Sequence, residues 1–308
     1  MSLAWPARAA LLFGLFASLF ASLGVQAASL RFCDRPLTLS AEHKDKLFRF
    51  GGVIKAELEQ SGQGVALMSR SGLDLSRFGQ RYSHAGFSLK ASPDTPWAVR
   101  QLYYACDERR PRIFDQGVSG FLLGTENPAI GYVSVVFMPA AAAAPLERAA
   151  RDNRQALALL GSTYSANAHA FSQRYQNCNQ WVAEMLAAAW GGSPADDIAS
   201  SRVAAQQWLK GKGYLPTLFD AGDRLLLWLA TAFVPWLHSD DHPSDDLHQA
   251  HYRISMPASI EAFIHETVPG ATRVEFCHTE QHIVIRRGWV PIAEGCVPGT
   301  QDTVVTLD

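Results

Sequence analysis

One cysteine lies where the sequence predicts the start of a helix. In the segment YQNCNQWV (residues 175–182), Asn177 is a favourable N-cap, and Gln180 three positions later completes a capping-box pattern. Apolar residues then recur at the spacing of a core-facing helix, at Trp181, Val182, Met185, Leu186 and Ala189. Unpaired N–H groups and the helix dipole would favour a thiolate at Cys178 and could donate to an oxyanion. The alternatives are a buried structural cysteine or half of a disulfide.

A histidine in an upstream segment is the candidate base for this thiol. Residues 82–90 (YSHAGFSLK) alternate like a strand, with Ala85, Phe87 and Leu89 on one face and His84 and Gly86 on the other. We expect His84 to lie mid-strand and to face the start of the cysteine helix, as a thiolate–imidazolium pair requires. A lone histidine is more often structural, so this prediction depends on Cys178.

A third polar side chain should orient the imidazole. Residues 97–104 (WAVRQLYY) predict a strand that forms a hairpin with the histidine strand. Gln101 is polar among apolar neighbours, and its side-chain carbonyl could accept the ring N–H. Arg100 is the competing candidate but offers no acceptor. Gln101 could instead be a surface residue of an edge strand.

The remaining elements must position these three residues. We expect an α+β fold in which an antiparallel sheet, including the His84 strand, the Gln101 strand and a strand at 131–138, packs against the Cys178 helix. Residues 197–308 are expected to elaborate the same domain, so that 28–308 forms a single domain. The other predicted helices cover 41–60, 146–160, 198–210 and 257–266, and the other predicted strands cover 63–70, 272–277 and 282–287.

The composition and the N-terminus indicate an exported globular protein. The chain has 308 residues, of which 48% are hydrophobic and 18% charged, and a formal net charge of −2. The absence of a basic excess argues against a nucleic-acid partner. An apolar stretch at 9–25 follows Arg8 and ends in a small-x-small signal, which predicts a signal peptide over 1–27. We therefore expect a periplasmic or extracellular protein, with an uncleaved membrane anchor as the alternative.

Export bears on the interpretation of the five cysteines. An oxidising compartment favours pairing, and an odd count leaves one thiol over. Cys277 and Cys296 flank a predicted hairpin and are a natural pair, so Cys33 and Cys106 would form the second. The sequence does not fix this connectivity. Cys178 is the candidate free thiol, because its surroundings differ from those of the other four.

Two segments of the C-terminal half support weaker predictions. Residues 224–237 (RLLLWLATAFVPWL) are apolar nearly all round but too short to span a bilayer. They fit a buried core helix or a peripheral contact with a membrane. Residues 238–251 (HSDDHPSDDLHQAH) contain ligand types for a divalent metal, but their spacing matches no standard site and a solvated loop fits as well. We predict no metal and no cofactor.

The histidine and cysteine segments together resemble a known superfamily. Residues 83–87 (SHAGF) resemble the H-x-G strand of the circularly permuted papain-like hydrolases, which include relatives of the NlpC-type cell-wall peptidases and of lecithin:retinol acyltransferase. In that group the histidine strand comes first and an N-C helix start comes later, as in Asn177-Cys178. The third position departs from the pattern, since Gln101 stands where His or Glu is usual. Across the mature chain the sequence resembles the bacterial family called domain of unknown function 2145.

The superfamily resemblance implies an acyl-transfer reaction and a permuted papain-like fold. In that reaction, the Cys178 thiolate attacks an amide or ester carbonyl, and His84 stabilises the thiolate and then protonates the leaving group. Export makes a cell-envelope peptide or lipid the expected substrate. The alternative is a non-catalytic, exported envelope binding protein on the same fold.

Overall fold

A computed structural model describes residues 39–192, 198–222, 234 and 236–307 of the chain. The predicted signal peptide, Cys33 and eleven of the fourteen residues of the apolar segment 224–237 lie outside these residues. Within the described part, no helix is both long and apolar enough to cross a bilayer.

An eight-stranded sheet forms the centre of the fold. The strand order is β10-β9-β8-β5-β1-β2-β3-β4, and every neighbouring pair is antiparallel. A separate antiparallel pair joins β6 to β7. The strands are β1 Val65–Arg70, β2 His84–Leu89, β3 Ala98–Ala105, β4 Arg110–Gln116, β5 Gly131–Phe137, β6 Thr217–Asp220, β7 His251–Ile254, β8 Thr272–His278, β9 His282–Arg287 and β10 Thr303–Thr306.

Helices cover both faces of this sheet, which confirms the predicted α+β class. The helices of the described residues are α1 Ala41–Gln60, α2 Val118–Leu122, α3 Ala140–Arg151, α4 Asn153–Ala158, α5 Cys178–Gly191, α6 Ile198–Gly211, α7 Ser244–His248 and α8 Pro257–Thr267. Helices α3, α5 and α8 contribute to the core on one face, and α1 and α2 contribute to the core on the other. We call these the α5 face and the α1 face.

Alternation along the strands decides which side chains reach which core. In β2, Ala85, Phe87 and Leu89 join the α5 face, where the Phe87 ring lies 6.1 Å from the ring of Trp181. The intervening residues of β2 point to the α1 face, because successive side chains of a strand point to opposite sides. His84 is one of these residues, and its ring contacts Phe121 of the α1-face core.

Helix α5 begins and ends where local sequence chemistry requires. The Asn177 side chain accepts a hydrogen bond of 2.7 Å from the backbone N–H of Gln180, which caps the helix. The helix ends before Gly192, whose φ of +67° is the left-handed conformation typical of a C-terminal glycine. The capping box predicted for Gln180 does not form, because its side chain donates to Ser172 O at 3.0 Å instead.

The cysteines of the described residues separate into bonded and free. Cys277 in β8 is disulfide-bonded to Cys296, with their Cα atoms 5.7 Å apart, which confirms the predicted pair. Cys106 is also disulfide-bonded, but Cys33 lies outside the described residues, so the Cys33–Cys106 pairing stays a prediction. Cys178 is a free, buried thiol.

Candidate active site

Cys178 is the first residue of α5 and lies at the end of the sheet where β2 begins. Its side chain is only 8% exposed, and burial raises the pKa of the thiol to about 11. The backbone N–H of Asn179, the positive charge of Arg70 and a hydrogen bond from Tyr164 each lower this pKa, but burial has the larger effect. The thiol is therefore protonated at neutral pH, although donors for a negative charge surround it.

His84 is hydrogen-bonded to the predicted orienting residue. Its Nε2–H donates to Gln101 Oε1 at 2.8 Å, and Gln101 Nε2 in turn donates to Gln116 Oε1 at 2.7 Å. Because the second bond commits the amide nitrogen of Gln101 to donation, its oxygen faces the ring, and the imidazole proton is held on Nε2. Gln101 is fully buried, which excludes a surface position. The other ring nitrogen, Nδ1, carries the lone pair that a base needs.

The environment of the imidazole keeps it neutral. Burial lowers the pKa of His84 to about 3, and the positive charge of Arg70 acts in the same direction, while the hydrogen bond with Gln101 opposes both. Two aromatic rings flank the imidazole: Tyr103 stacks on it with centroids 4.7 Å apart, and Phe121 lies at 5.8 Å. The ring is therefore neutral at pH 7 and lies between aromatic side chains.

The structure brings Cys178 and His84 to the same end of the sheet, but without a hydrogen bond between their side chains among the described contacts. Asn179 Nδ2 donates to Ser83 O at 3.1 Å, which ties the first turn of α5 to the residue preceding His84. Within the described residues, however, no hydrogen bond joins the Cys178 sulfur to the His84 ring. His84 is also the first residue of β2 and not mid-strand. Its side chain points to the α1 face, whereas α5 packs on the opposite face, which differs from the expected arrangement.

Tyr164 is a neighbour of the thiol that the sequence did not indicate. Its hydroxyl is hydrogen-bonded to Cys178, and burial raises the pKa of this hydroxyl well above its ordinary value. Tyr104, at the end of β3, stacks on the Tyr164 ring at 5.2 Å and fixes its position. Tyr164 lies in an irregular segment and forms an isolated bridge with Gln176, so neither periodicity nor a motif singles it out.

Arg70 is the second such neighbour. It ends β1 and lies directly opposite His84 in the β1–β2 register. Its Nη2 donates to the Tyr103 hydroxyl at 2.9 Å. Its charge lowers the pKa of both His84 and Cys178. In the sequence it is a single basic residue after an apolar run, a pattern too common to indicate a site.

A buried ionic network holds the segment that leads into Cys178. Glu184 of α5 is fully buried and pairs with Arg202 of α6, with Oε2 and Nε 2.9 Å apart. Gln176, two residues before the thiol, donates to the same Glu184 oxygen at 2.6 Å. Arg202 also donates to Ser172 O at 2.8 Å, so the network holds the segment that precedes α5 at both Ser172 and Gln176.

The histidine-rich segment 238–251 is more buried than a solvated loop. His242 is buried and its Nε2 lies 2.8 Å from Asn167 O. Asp246 is also buried and pairs with Arg253, with Oδ2 and Nε 3.0 Å apart. In the part of the chain that the structure describes, no group of three or more His, Cys, Asp or Glu residues is placed to hold a metal ion.

A comparison with protein-family models shows the family to which the chain belongs. A family model described as "Uncharacterized protein conserved in bacteria (DUF2145)" matches residues 57–264, about two thirds of the sequence. The chain belongs to this family. The region matched by the DUF2145 model includes His84, Gln101 and Cys178, together with Arg70 and Tyr164. Searches of curated proteins and of solved structures find no match to this DUF2145 member.

Proposed function

We propose that this DUF2145 protein is a cysteine-dependent acyl hydrolase or acyltransferase with Cys178 as nucleophile and His84 as base. The observation that carries the proposal is the free thiol in the first turn of α5, which faces donors for a negative charge from its own backbone, from Asn179 and from Tyr164. Cys178 is free while the other described cysteines are disulfide-bonded, and the donors around its sulfur suit a nucleophile because they stabilise a thiolate.

The proposed reaction uses these groups in sequence. As the Cys178 sulfur attacks the acyl carbonyl carbon, its proton passes to Nδ1 of His84, and the carbonyl oxygen becomes an oxyanion. Backbone N–H groups at the start of α5 and the Tyr164 hydroxyl would donate to that oxygen. The bond to the leaving group then breaks, and the leaving nitrogen or oxygen takes the proton from His84. Attack of water on the thioester releases the acid and restores the thiol.

The described structure corresponds to the resting state in this proposal. Both groups are neutral, and Nδ1 of His84 has no hydrogen-bond partner among the described residues, so it is free to accept a proton. The proton transfer requires the sulfur and the ring to meet at the end of the sheet once an acyl group is bound. Hydrogen bonds in active sites often tighten only in the complex with substrate. We propose that the substrate is a peptide or lipid of the cell envelope. The protein would act on it outside the cytoplasm, after residues 1–27 have been removed.

A permuted papain-like arrangement is part of this proposal. Its support is the chain order of His84, Gln101 and Cys178, the antiparallel pairing of the two strands that carry the first two, and the position of the third at a helix start.

One observation favours a second candidate, a non-catalytic envelope binding protein. The imidazole points to the α1 face and the helix of the thiol packs on the other, and the pKa values of about 3 and about 11 leave both groups uncharged. A buried cysteine of this kind is inert in many proteins.

Acylation by an activated ester distinguishes the two candidates. The mature protein is incubated with a p-nitrophenyl acyl ester, and intact-mass spectrometry follows a covalent acyl adduct. We expect an adduct on the wild type, none on Cys178→Ala, and one that forms at least tenfold more slowly on His84→Ala, because general-base catalysis contributes about 10²-fold or more.

The matched control is His282→Ala, which removes a histidine from the distant strand β9 and should acylate like the wild type. Equal adduct formation by wild type and His84→Ala would remove the base from the mechanism. An adduct that persists in Cys178→Ala, or no adduct on any variant, would favour the non-catalytic candidate.

A further inference from the structure

Arg70 differs from the other buried arginines because it has no carboxylate partner within the described structure. Arg100 pairs with Asp115, Arg202 with Glu184, and Arg273 with both Glu261 and Glu275; these three arginines are each buried. Arg70 is equally buried, at 5% exposure, yet no carboxylate among the described residues lies within ion-pair distance of it. Within the described part of the chain, Arg70 is therefore a buried cation without a neutralising carboxylate.

The acceptors that Arg70 finds among residues 39–192, 198–222, 234 and 236–307 are neutral oxygens. Its Nη1 donates to the backbone carbonyls of Gly124 and of Ser71, the latter at 3.3 Å, and its Nη2 donates to the Tyr103 hydroxyl. Its Nε–H is buried and has no hydrogen-bond partner in the part of the chain that the structure describes. An arginine does not lose its proton in a protein, so this side chain keeps a full positive charge and an unused donor in the interior. Such a charge is strongly unfavourable unless an anion compensates it.

A small cavity adjoins this guanidinium on the α1 face. Arg70 lines it together with His278, Ser71, Thr125 and Phe50, and no acidic residue is among its lining residues. The cavity has room for a group of about the size of one water molecule. Burial lowers the pKa of His278 to about 4, against the opposing effect of a hydrogen bond with the Thr279 backbone, so its ring adds no charge to the cavity at pH 7.

We propose that Arg70 and this cavity form a binding site for a small monovalent anion, either a halide or a carboxylate that inserts one of its oxygens. The anion lies against the unused donor of Arg70 and neutralises its charge. The site is separate from the proposed acyl chemistry in that it requires neither Cys178 nor a substrate. Because Arg70 lies opposite His84 in the β1–β2 register, a bound anion would also screen the Arg70 charge that lowers the pKa of His84.

Thermal unfolding of the mature protein tests this site. Sodium chloride and sodium formate are titrated separately at constant ionic strength, with sodium gluconate, an anion too large for the cavity, as the balancing salt. We expect a saturable rise in Tm with at least one of the two small anions. A rise with formate alone identifies a carboxylate site, and a rise with both identifies a site for halides as well. A Tm that stays constant as either small anion replaces gluconate would overturn the proposal.

Two variants connect the response to Arg70. In Arg70→Met the anion-dependent rise should disappear, and the Tm without small anions should increase, because the variant removes an uncompensated buried charge. The matched control is Arg112→Met, which removes an exposed arginine of β4 and should keep the full response. An undiminished response in folded Arg70→Met would contradict the assignment.

Chloride-35 NMR on the wild-type protein provides a measurement that does not depend on the folding of a variant. We expect the chloride line to broaden in the presence of the protein and to sharpen as formate displaces the ion. A chloride line that the protein does not broaden, together with no saturable Tm effect of formate, would rule out the site at Arg70.

Discussion

The state of the Cys178 thiol in the free protein gives the sharpest prediction. Alkylating reagents react with the thiolate, so the rate of reaction follows the ionised fraction of the thiol. The pKa of about 11 lies two units above the ordinary value of 9.0. At any pH below both values, the native thiol should therefore react about 100-fold more slowly than a free cysteine, before any effect of limited access.

The neutral state follows from the energies of the two groups. A thiol of pKa about 11 and an imidazole of pKa about 3 differ by about eight units, which corresponds to about 11 kcal/mol for moving the proton from sulfur to ring, before the attraction between the resulting charges is counted. Even a close ion pair would have to recover most of this energy. The resting protein should therefore contain almost no thiolate–imidazolium pair.

The assay measures the rate of carbamidomethylation of Cys178 by iodoacetamide between pH 7 and pH 11, with intact-mass detection. We expect the rate constant to rise about tenfold for each pH unit across this range. His84→Ala should give the same profile, because no hydrogen bond joins the ring to the sulfur. Cys178→Ala is the control for reaction elsewhere. A rate that reaches a plateau below pH 8, and loses it in His84→Ala, would refute the neutral pair and show that the imidazole ionises the thiol.

Three further outcomes follow from contacts around the site. Tyr164→Phe removes a donor that lowers the thiol pKa, so iodoacetamide labelling at pH 9 should slow by about tenfold; unchanged labelling would exclude that hydrogen bond. Glu184→Leu leaves Arg202 buried without its partner and should lower the free energy of unfolding in urea by about 3–5 kcal/mol, whereas the double variant with Arg202→Leu should recover much of the loss. Cys277→Ser opens a disulfide whose cysteines are 19 residues apart and should cost about 3 kcal/mol in the same assay; a loss below about 0.5 kcal/mol would mean that the bridge does not constrain the unfolded chain.

Strong local patterns were sufficient to predict the central elements. The apolar spacing after Cys178 and the cap at Asn177 placed the start of α5 at the observed residue. The predicted helix at 41–60 and the predicted strand at 282–287 have the observed bounds. The Cys277–Cys296 pair could be predicted because a hairpin brings residues close in sequence together.

Edge strands and helix breaks were harder to predict, for identifiable reasons. Strands β4 and β10 lie at the two edges of the sheet and were missed, because partly exposed strands carry polar residues and lack an apolar run. The helix predicted at 146–160 begins earlier, with the alanine run after Pro139, and is divided at Asp152, whose side chain caps the N-terminus of α4.

The sequence by itself determined which residues alternate along β2, which residue begins α5, and that His84 and Gln101 occupy neighbouring strands. These are properties of short segments, set by side-chain spacing and capping. Only the tertiary structure decided which face of the sheet α5 covers, and this placed the imidazole on the α1 face. It also decided that Tyr164 lies beside the thiol and that Arg70 is buried without a carboxylate partner among the described residues. Burial and charge compensation depend on segments far apart in the chain, and no local pattern encodes them.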